Sequence, residues 1–374
     1  MPGRFNRFAK RIFIILNIVV VIPYLLVCLV PFLDAGKFWF IALLGLVFPV
    51  LLFFVFAFFI VWLFARSRWA FLSLIAMLVS WQQLSVVFSL HPGKFVISKD
   101  SSTIRVFSWN VERWDEPNKE RRGGTSYRGK MLDLVEKYNA DILCFQEFFE
   151  SKSSKHYESN YPVLESMGYR YHYFFPSASR FDGLFQSGVT ILSKHPMIDS
   201  GQLSYGKKSA AERLIYADIK VNDQVIRVFT SHLESVLFQP KDYRNLSQIR
   251  NADDSALLAS KNIIIKLKRA YRFRSEQAKI IRQHINDSPY PVIICGDFND
   301  IPNSYTYFKI KGNLNDAFLK KGFGIGRTFR RLSPTLRIDY IFADEKFEIT
   351  QFTRLKVPYS VHYPILTDLE LFKD

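Results

Sequence analysis

The sequence predicts a mixed α/β domain carried behind an all-helical membrane segment, and three observations point there. Hydropathy is uneven: the first hundred residues are almost all apolar, whereas the remainder has the composition of a soluble globular chain. Within that remainder, β-branched runs with no alternating polar residue, such as Val292-Ile293-Ile294, read as strands buried on both faces. Between them lie stretches with apolar residues at helical spacing, Met131, Leu134 and Val135 among them. Helical and strand patterns in alternation argue for helices packed on sheet.

The membrane segment comes first. Ile12 to Leu33 carries no charge and follows Arg4, Arg7, Lys10 and Arg11. The run is longer than the ~7–15 residues of a signal h-region, and no small-x-small cleavage site follows it, so an uncleaved span is expected. Phe38 to Phe64 exceeds the ~20 residues needed to cross a hydrocarbon core. Trp69 to Leu90 is weaker, because Ser80, Gln82 and Gln83 are costly in lipid unless they face neighbouring helices. We therefore expect an anchor over residues 1–92 with spans at 12–33, 38–64 and 69–90, a linker over 93–102 and a soluble domain over 103–374. The N-terminal flank and the Ala65-Arg-Ser-Arg68 loop hold six basic residues, against one acid and one base in Asp34–Lys37. The positive-inside rule then puts the N-terminus in the cytoplasm; with three spans the soluble domain lies outside it, on a plasma or inner membrane, and with the third run lying on the surface it lies inside. No span contains the ionisable residue that a pump or transporter would show, so the anchor is expected to have no activity of its own.

Charge follows the same division. Residues 1–100 hold 9 Lys+Arg and 2 Asp+Glu and residues 101–374 hold 41 and 32, so the net +16 divides into +7 and +9. Near a membrane such residues set topology and attract anionic headgroups; on a soluble domain they draw in polyanions, and neither reading singles out nucleic acid. Cys28, Cys144 and Cys295 all lie in apolar runs, with no metal-ligand spacing and no disulfide framework.

Along the soluble part, strand after strand ends in a polar side chain. Ile104–Trp109 delivers Asn110, followed shortly by Glu112, and Asp141–Phe145 delivers Gln146 and Glu147. An aromatic strand (Tyr169–Phe175), another entered through Gly188 (Ser187–Ser193) and a hairpin (Leu214–Lys220, Gln224–Thr230) follow, and the hairpin runs into His232. From Val236 to Asp287 the pattern is helical and basic. Leu257, Leu258, Ile263, Ile264, Leu267, Ile280 and Ile281 are available for one face and Lys261, Lys266, Lys268, Arg269, Arg272, Arg274, Lys279 and Arg282 for the other, either a solvated face or a cationic surface for polyanions or lipid. Pro291–Asn303 then carries a buried strand into Gly296, Asp297 and Asn299. Leu336–Phe342 holds Asp339 in its middle, where an unpaired carboxylate would be costly, and His362 precedes the last strand, Ile365–Leu371.

With Ser108-Trp-Asn110, Cys144-Phe-Gln-Glu147, Ser187-Gly-Val189, Thr230-Ser-His-Leu233, Gly296-Asp-Phe-Asn299, Arg337-Ile-Asp-Tyr340 and Ser360-Val-His-Tyr-Pro364 in this order, residues 103–372 resemble the endonuclease/exonuclease/phosphatase superfamily, the DNase I-like group. The resemblance implies a four-layer α/β sandwich of two mainly antiparallel sheets flanked by helices, and metal-assisted in-line hydrolysis of a phosphodiester or phosphomonoester. It implies Glu147 as the principal metal carboxylate, assisted by Asn110 and with Glu112 as a further oxygen, for Mg²⁺ or alternatively Mn²⁺, cations suited to hard oxygen donors. Asp297 would orient or deprotonate water, Asn299 would hold a phosphate oxygen, Asp339 would buttress a histidine, and His232 and His362 would donate to the phosphoryl group. Expected partners are the lipid bilayer and a nucleic-acid or phospholipid/inositol-type phosphoester, with no obligate protein partner. One departure stands out: Val361 occupies the position where the superfamily usually has Asp. It leaves open an alternative, a weakly active or non-catalytic membrane receptor or scaffold on the same fold.

Overall fold

The computed structural model describes residues 2–155, 157–206, 213–236, 242 and 256–372, with side chains placed from residue 7 and, in the last stretch, from residue 260. Leu257 and Leu258, assigned above to a helix face, lie outside the described side chains.

Four helices form the anchor: α1 (Pro2–Val27), α2 (Trp39–Phe64), α3 (Ala70–Val79) and α4 (Trp81–Val87). The first two are long and apolar enough to cross a membrane, and large side chains such as Phe53, Phe56 and Phe64 stand exposed along α2, the surface lipid would cover. The third apolar run is not the continuous helix expected over 69–90. It is bent by 65° between α3 and α4, at Ser80. Ser80 donates to the Met77 carbonyl (2.9 Å) and meets the Tyr24 hydroxyl, and side-chain bonding of this kind bends helices. Gln83 donates to the Cys28 carbonyl (3.2 Å), so these two polar side chains do face the neighbouring helix, whereas Gln82 is exposed.

The strands are β1 (Ser89–Leu90), β2 (Ile104–Asn110), β3 (Ile142–Ser151), β4 (Tyr171–Arg180), β5 (Phe185–Ser193), β6 (Met197–Leu203), β7 (Leu214–Val221), β8 (Gln224–His232), β9 (Val292–Asp297), β10 (Asn315–Asp316), β11 (Phe323–Gly324), β12 (Asp339–Ala343), β13 (Phe347–Arg354) and β14 (Ile365–Leu371). They build two six-stranded sheets, ordered β10-β12-β9-β8-β7-β6 and β13-β14-β2-β3-β5-β4, each antiparallel except for one parallel pair, β8 with β9 and β2 with β3. Period two explains why the strands read as unbroken apolar runs. Val106, Ile142, Ile293 and Cys295 face the core between the sheets; Phe107, Leu143 and Phe145 pack outward with Met131 and Val135 of α5 (Arg128–Tyr138). On the far side, Ile294 and Phe342 join Ala278 and Ile281 of the long helix α6 (Ala256–Asn286), in one cluster with Tyr24, Phe48 and Val87 of the anchor.

The anchor is thus packed on the soluble domain. Lys279 and Ser275 of α6 donate to Asp34 in the α1–α2 connection, Lys268 lies over the Trp39 ring at 5.2 Å, and β1 pairs with β11. The basic residues of α6 are not a uniformly solvated face either. Lys266 pairs with Asp242, Arg269 with Glu234 and Lys279 with Asp34, and the buried Arg274 pairs with Asp300 at 3.2 Å.

Candidate active site

Strand register assembles the site. In the parallel pair β8/β9, His232 lies opposite Asp297, and in β9/β12 Asp297 lies opposite Asp339. Asp339 is the first residue of β12, not the middle of a strand as expected, because the backbone before it turns to deliver Arg337 to Asp316 at 2.7 Å. From the facing sheet, Asn110 ends β2 and reaches Asp297 Oδ2 with its Nδ2 at 3.1 Å. Gly296 is required for this approach: a Cβ there would lie 2.1 Å from the Ser231 carbonyl oxygen, at a φ of +146°.

Asp297 is the hub. Its Oδ1 accepts the Asn299 N–H (2.9 Å), and its Oδ2 faces Nε2 of both His232 and His362 at 3.5 Å. Asn299, at a positive φ of 51°, is fixed by donation from Nδ2 to the Leu233 carbonyl (3.0 Å), which leaves its second amide hydrogen. Behind His362, Asp339 receives Nδ1 on both oxygens at 3.0 Å and takes its own backbone fix from Thr328 Oγ1. Trp109 Nε1 donates to the His362 carbonyl (2.9 Å), and the Phe329 ring lies 5.0 Å from the imidazole. Burial alone would hold His362 neutral, but the Asp339 and Asp297 charges outweigh it and push the imidazole up to about 9. Asp339 is itself raised, first by burial and then by Asp297.

A second acidic group sits beside the hub. Glu147, at φ +50° where the β3/β5 register shifts, approaches Asn110 Nδ2 at 3.3 Å and Arg113 Nε at 3.8 Å. Glu112 is brought alongside by an unusual backbone: Glu112, Arg113, Trp114 and Asp115 all have φ between +45° and +61°. For non-glycine residues that costs about 1 kcal/mol or more each. The run is held by Trp114, packed edge-on to Phe145 and Phe148, and by buried Asp115, which pairs with Arg122 at 2.7 Å. Glu112 then accepts the Val361 N–H at 3.0 Å. Burial raises the Glu112 carboxyl, and the Glu147 charge raises it further.

The donor set fits a hard divalent cation. Two neighbouring carboxylates, Glu112 raised first by burial and then by the Glu147 charge, form the kind of group a cation relieves. Asn110 as placed turns its nitrogen to Glu147, and its Oδ1 takes the Glu112 N–H (3.1 Å). Asp297, Asp339 and His362 also offer ligand atoms within 4.8 Å of one another, but the hydrogen bonds between His362 and Asp339 already satisfy that group with a proton.

Asn110, Glu147, His232, Asp297, Asn299 and His362 line one cavity of about 710 Å³; Asp339 supports His362 from behind, and Glu112 stands at Val361. The same cavity is lined by residues that sequence reasoning did not single out: Arg113, Arg331, Asn303 and, from the anchor, Gly45, Leu46 and Val87. The breaks that Gly45 and Pro49 make in an otherwise bulky apolar helix were the available signal for the anchor's part.

The profile of the Endonuclease/Exonuclease/phosphatase family matches residues 108–358, more than half of the chain. The chain belongs to that family. Its members are hydrolases acting on phosphoesters. A second profile, a domain of unknown function (DUF8431), matches residues 10–87, the span of the anchor helices. Protein angel homolog 2 of Mus musculus is 30% identical over 200 residues, 53% of this chain and 32% of that protein. Its Homo sapiens counterpart is 29% identical over 194 residues, 50% and 31%. The match therefore spans about a third of the length of these relatives. Among solved structures, the endonuclease/exonuclease/phosphatase from Bacteroides vulgatus superposes with a TM-score of 0.51 at 17% identity, covering 72% of this chain and 99% of that one. The human Nocturnin catalytic domain with bound sulfate superposes with a TM-score of 0.50 at 20% identity, covering 72% and 94%. These likenesses show the fold, two mixed sheets flanked by helices.

Proposed function

We propose that the chain is a membrane-anchored, divalent-metal-dependent phosphoesterase that cleaves a phosphodiester or phosphomonoester by in-line attack of water. The observation that carries this reading is the convergence of His232, His362 and Asn110 on a single carboxylate, Asp297. Asp297, its Oδ1 fixed by Asn299, presents Oδ2 as the acceptor that orients water and takes its proton. His362, protonated at neutral pH and held by Asp339, donates to the phosphoryl oxygens as charge builds there, with His232 on the other side of Asp297. The remaining amide hydrogen of Asn299 holds a phosphate oxygen. Glu147, with Glu112 and Asn110 beside it, would hold Mg²⁺ or Mn²⁺, which supplies Lewis-acid charge at the phosphoryl group.

Val361 supplies no carboxylate, but its N–H secures Glu112 at the same point, which favours an active enzyme over a receptor on the same fold. The soluble domain packs against the Asp34 connection, the end of α1 and α2 that the positive-inside rule assigns outside the cytoplasm. That supports an extracytoplasmic site. A panel of DNA, RNA, phospholipids and small phosphomonoesters, with Glu147→Ala as blank, tests the reading: cleavage of at least one ester with Mg²⁺ or Mn²⁺, lost in the variant, is expected, and no cleavage by wild type would overturn it.

A further inference from the structure

The cavity that holds the hub residues does not end at the soluble domain. It is also lined by Gly45, Leu46, Pro49 and Val87 of α2 and α4, together with Ile325 and Leu332. Its lining therefore combines the polar groups of the hub with apolar side chains, some of them on a helix long and apolar enough to cross a membrane.

Local features show that the anchor is seated closely here. A Cβ on Gly45 would come within 2.6 Å of the Asn303 carbonyl oxygen, so only glycine lets the α2 backbone lie against the loop after β9. Four residues on, Pro49 lacks the N–H that would otherwise bond the Gly45 carbonyl, leaving an acceptor at the junction. Asn303 is 2% exposed, lines the cavity, and has no hydrogen-bond partner at either Nδ2 or Oδ1. A buried carboxamide with both ends unsatisfied is costly, and one that lines a cavity points to a ligand that supplies its partners.

We propose that the anchor is a wall of the active site and that the cavity takes a phospholipid-class phosphoester. Its phosphate would meet His232 and His362, its ester or hydroxyl groups would bond Asn303, and its acyl chains would leave along α2 past Leu46 and Leu332. This rests on the phosphoesterase reading and narrows it to one substrate class. Nucleic acid fits less well, because four cations of α6 are already paired within the protein and the anchor residues lining the cavity are apolar.

The test uses the full chain in detergent micelles. Rates are compared for dihexanoylphosphatidic acid and dihexanoylphosphatidylglycerol against their chainless counterparts, glycerol 3-phosphate and glycerophosphoglycerol, with bis(p-nitrophenyl) phosphate and DNA alongside. For at least one headgroup the chain-bearing ester should exceed its chainless partner at least tenfold in kcat/KM. Leu332→Asp, at a half-exposed position that folding tolerates, and Asn303→Ala should each bring that ratio down at least fivefold. A wild-type ratio near one, a ratio that neither variant moves, or DNA cleaved in preference to every lipid with a steep loss on adding salt would overturn the inference. Should wild type cleave none of these esters, the phosphoesterase reading fails on its own. Calorimetric titration in EDTA then decides the inference separately: dihexanoylphosphatidic acid binding at least tenfold more tightly than glycerol 3-phosphate, weakened by Leu332→Asp, upholds it, and equal or absent binding overturns it.

Discussion

Replacing Asp339 by asparagine preserves the shape of the pair with His362 and removes its charge. In the wild type the imidazole is raised from 6.5 to about 9, the Asp339 and Asp297 charges prevailing over burial. At ~1.36 kcal/mol per unit, that is roughly 3 kcal/mol of preference for the protonated ring. The sign follows from the direction: a raised histidine contributes stability that is complete below about 6.5 and is lost as pH climbs through about 9. Asp339, raised by burial, offsets part of it. For activity the same shift sets the alkaline limb. At pH 8 a group titrating at about 9 is roughly nine-tenths protonated; with Asp339 neutralised, Asp297 alone among the two carboxylates opposes burial and the ring titrates lower, so Asp339→Asn should lose severalfold more activity at pH 8 than at pH 5.5. The assay is kcat/KM for the wild type's best ester from pH 5 to 10.5, paired with the carbon-13 titration of the His362 ring. An unchanged alkaline limb, or a loss equal at both pH values, would refute the assignment of His362 as the protonated donor.

Glu147→Gln should lower kcat at least a hundredfold and abolish the Mg²⁺-dependent rise in melting temperature expected of wild type; a variant still stabilised by Mg²⁺ would place the cation elsewhere. Gly296→Ala should cost about 3 kcal/mol or more in denaturant unfolding, since its Cβ would press on the Ser231 carbonyl oxygen at 2.1 Å. Wild-type stability would show that β8 and β9 can separate there. Asp316→Ala leaves Arg337, 1% exposed, without the carboxylate it holds at 2.7 Å, and should destabilise by about 3–5 kcal/mol in the same measurement.

Several of the candidate groups are readable from sequence because they end apolar runs, and a strand buried on both faces has nowhere to place a carboxylate or imidazole except at its tip. Asn110, His232 and Asp297 lie at strand ends for that reason. Glu112 was harder to place. Nothing in Glu-Arg-Trp-Asp announces four residues at positive φ, a conformation imposed by Trp114 and Asp115 seeking the core. The basic pattern of α6 misled in the same way, since charge periodicity does not say whether a cation meets water or, like Arg274, a buried aspartate. The break at Ser80 and the orphaned Asn303 depend on neighbours distant in the chain, which no local pattern encodes.

The way the chain leaves the anchor bears on handling it. β1 pairs with β11, Ser89 donates to the Gly322 carbonyl (2.7 Å), and Arg337 donates to the Val86 carbonyl (2.7 Å), so the exit is fastened before the linker starts. Clipping the exposed backbone at Lys94 would cut the covalent tie and leave the two pieces clasped, the hydrolase sedimenting with the membrane. Expressing residues 103–374 alone would instead remove Tyr24, Phe48 and Val87 from the cluster they share with Leu233, Phe298 and Phe342. A poorly soluble fragment with a breached cavity is what such a truncation should yield, and its silence toward substrates would say nothing about the intact protein.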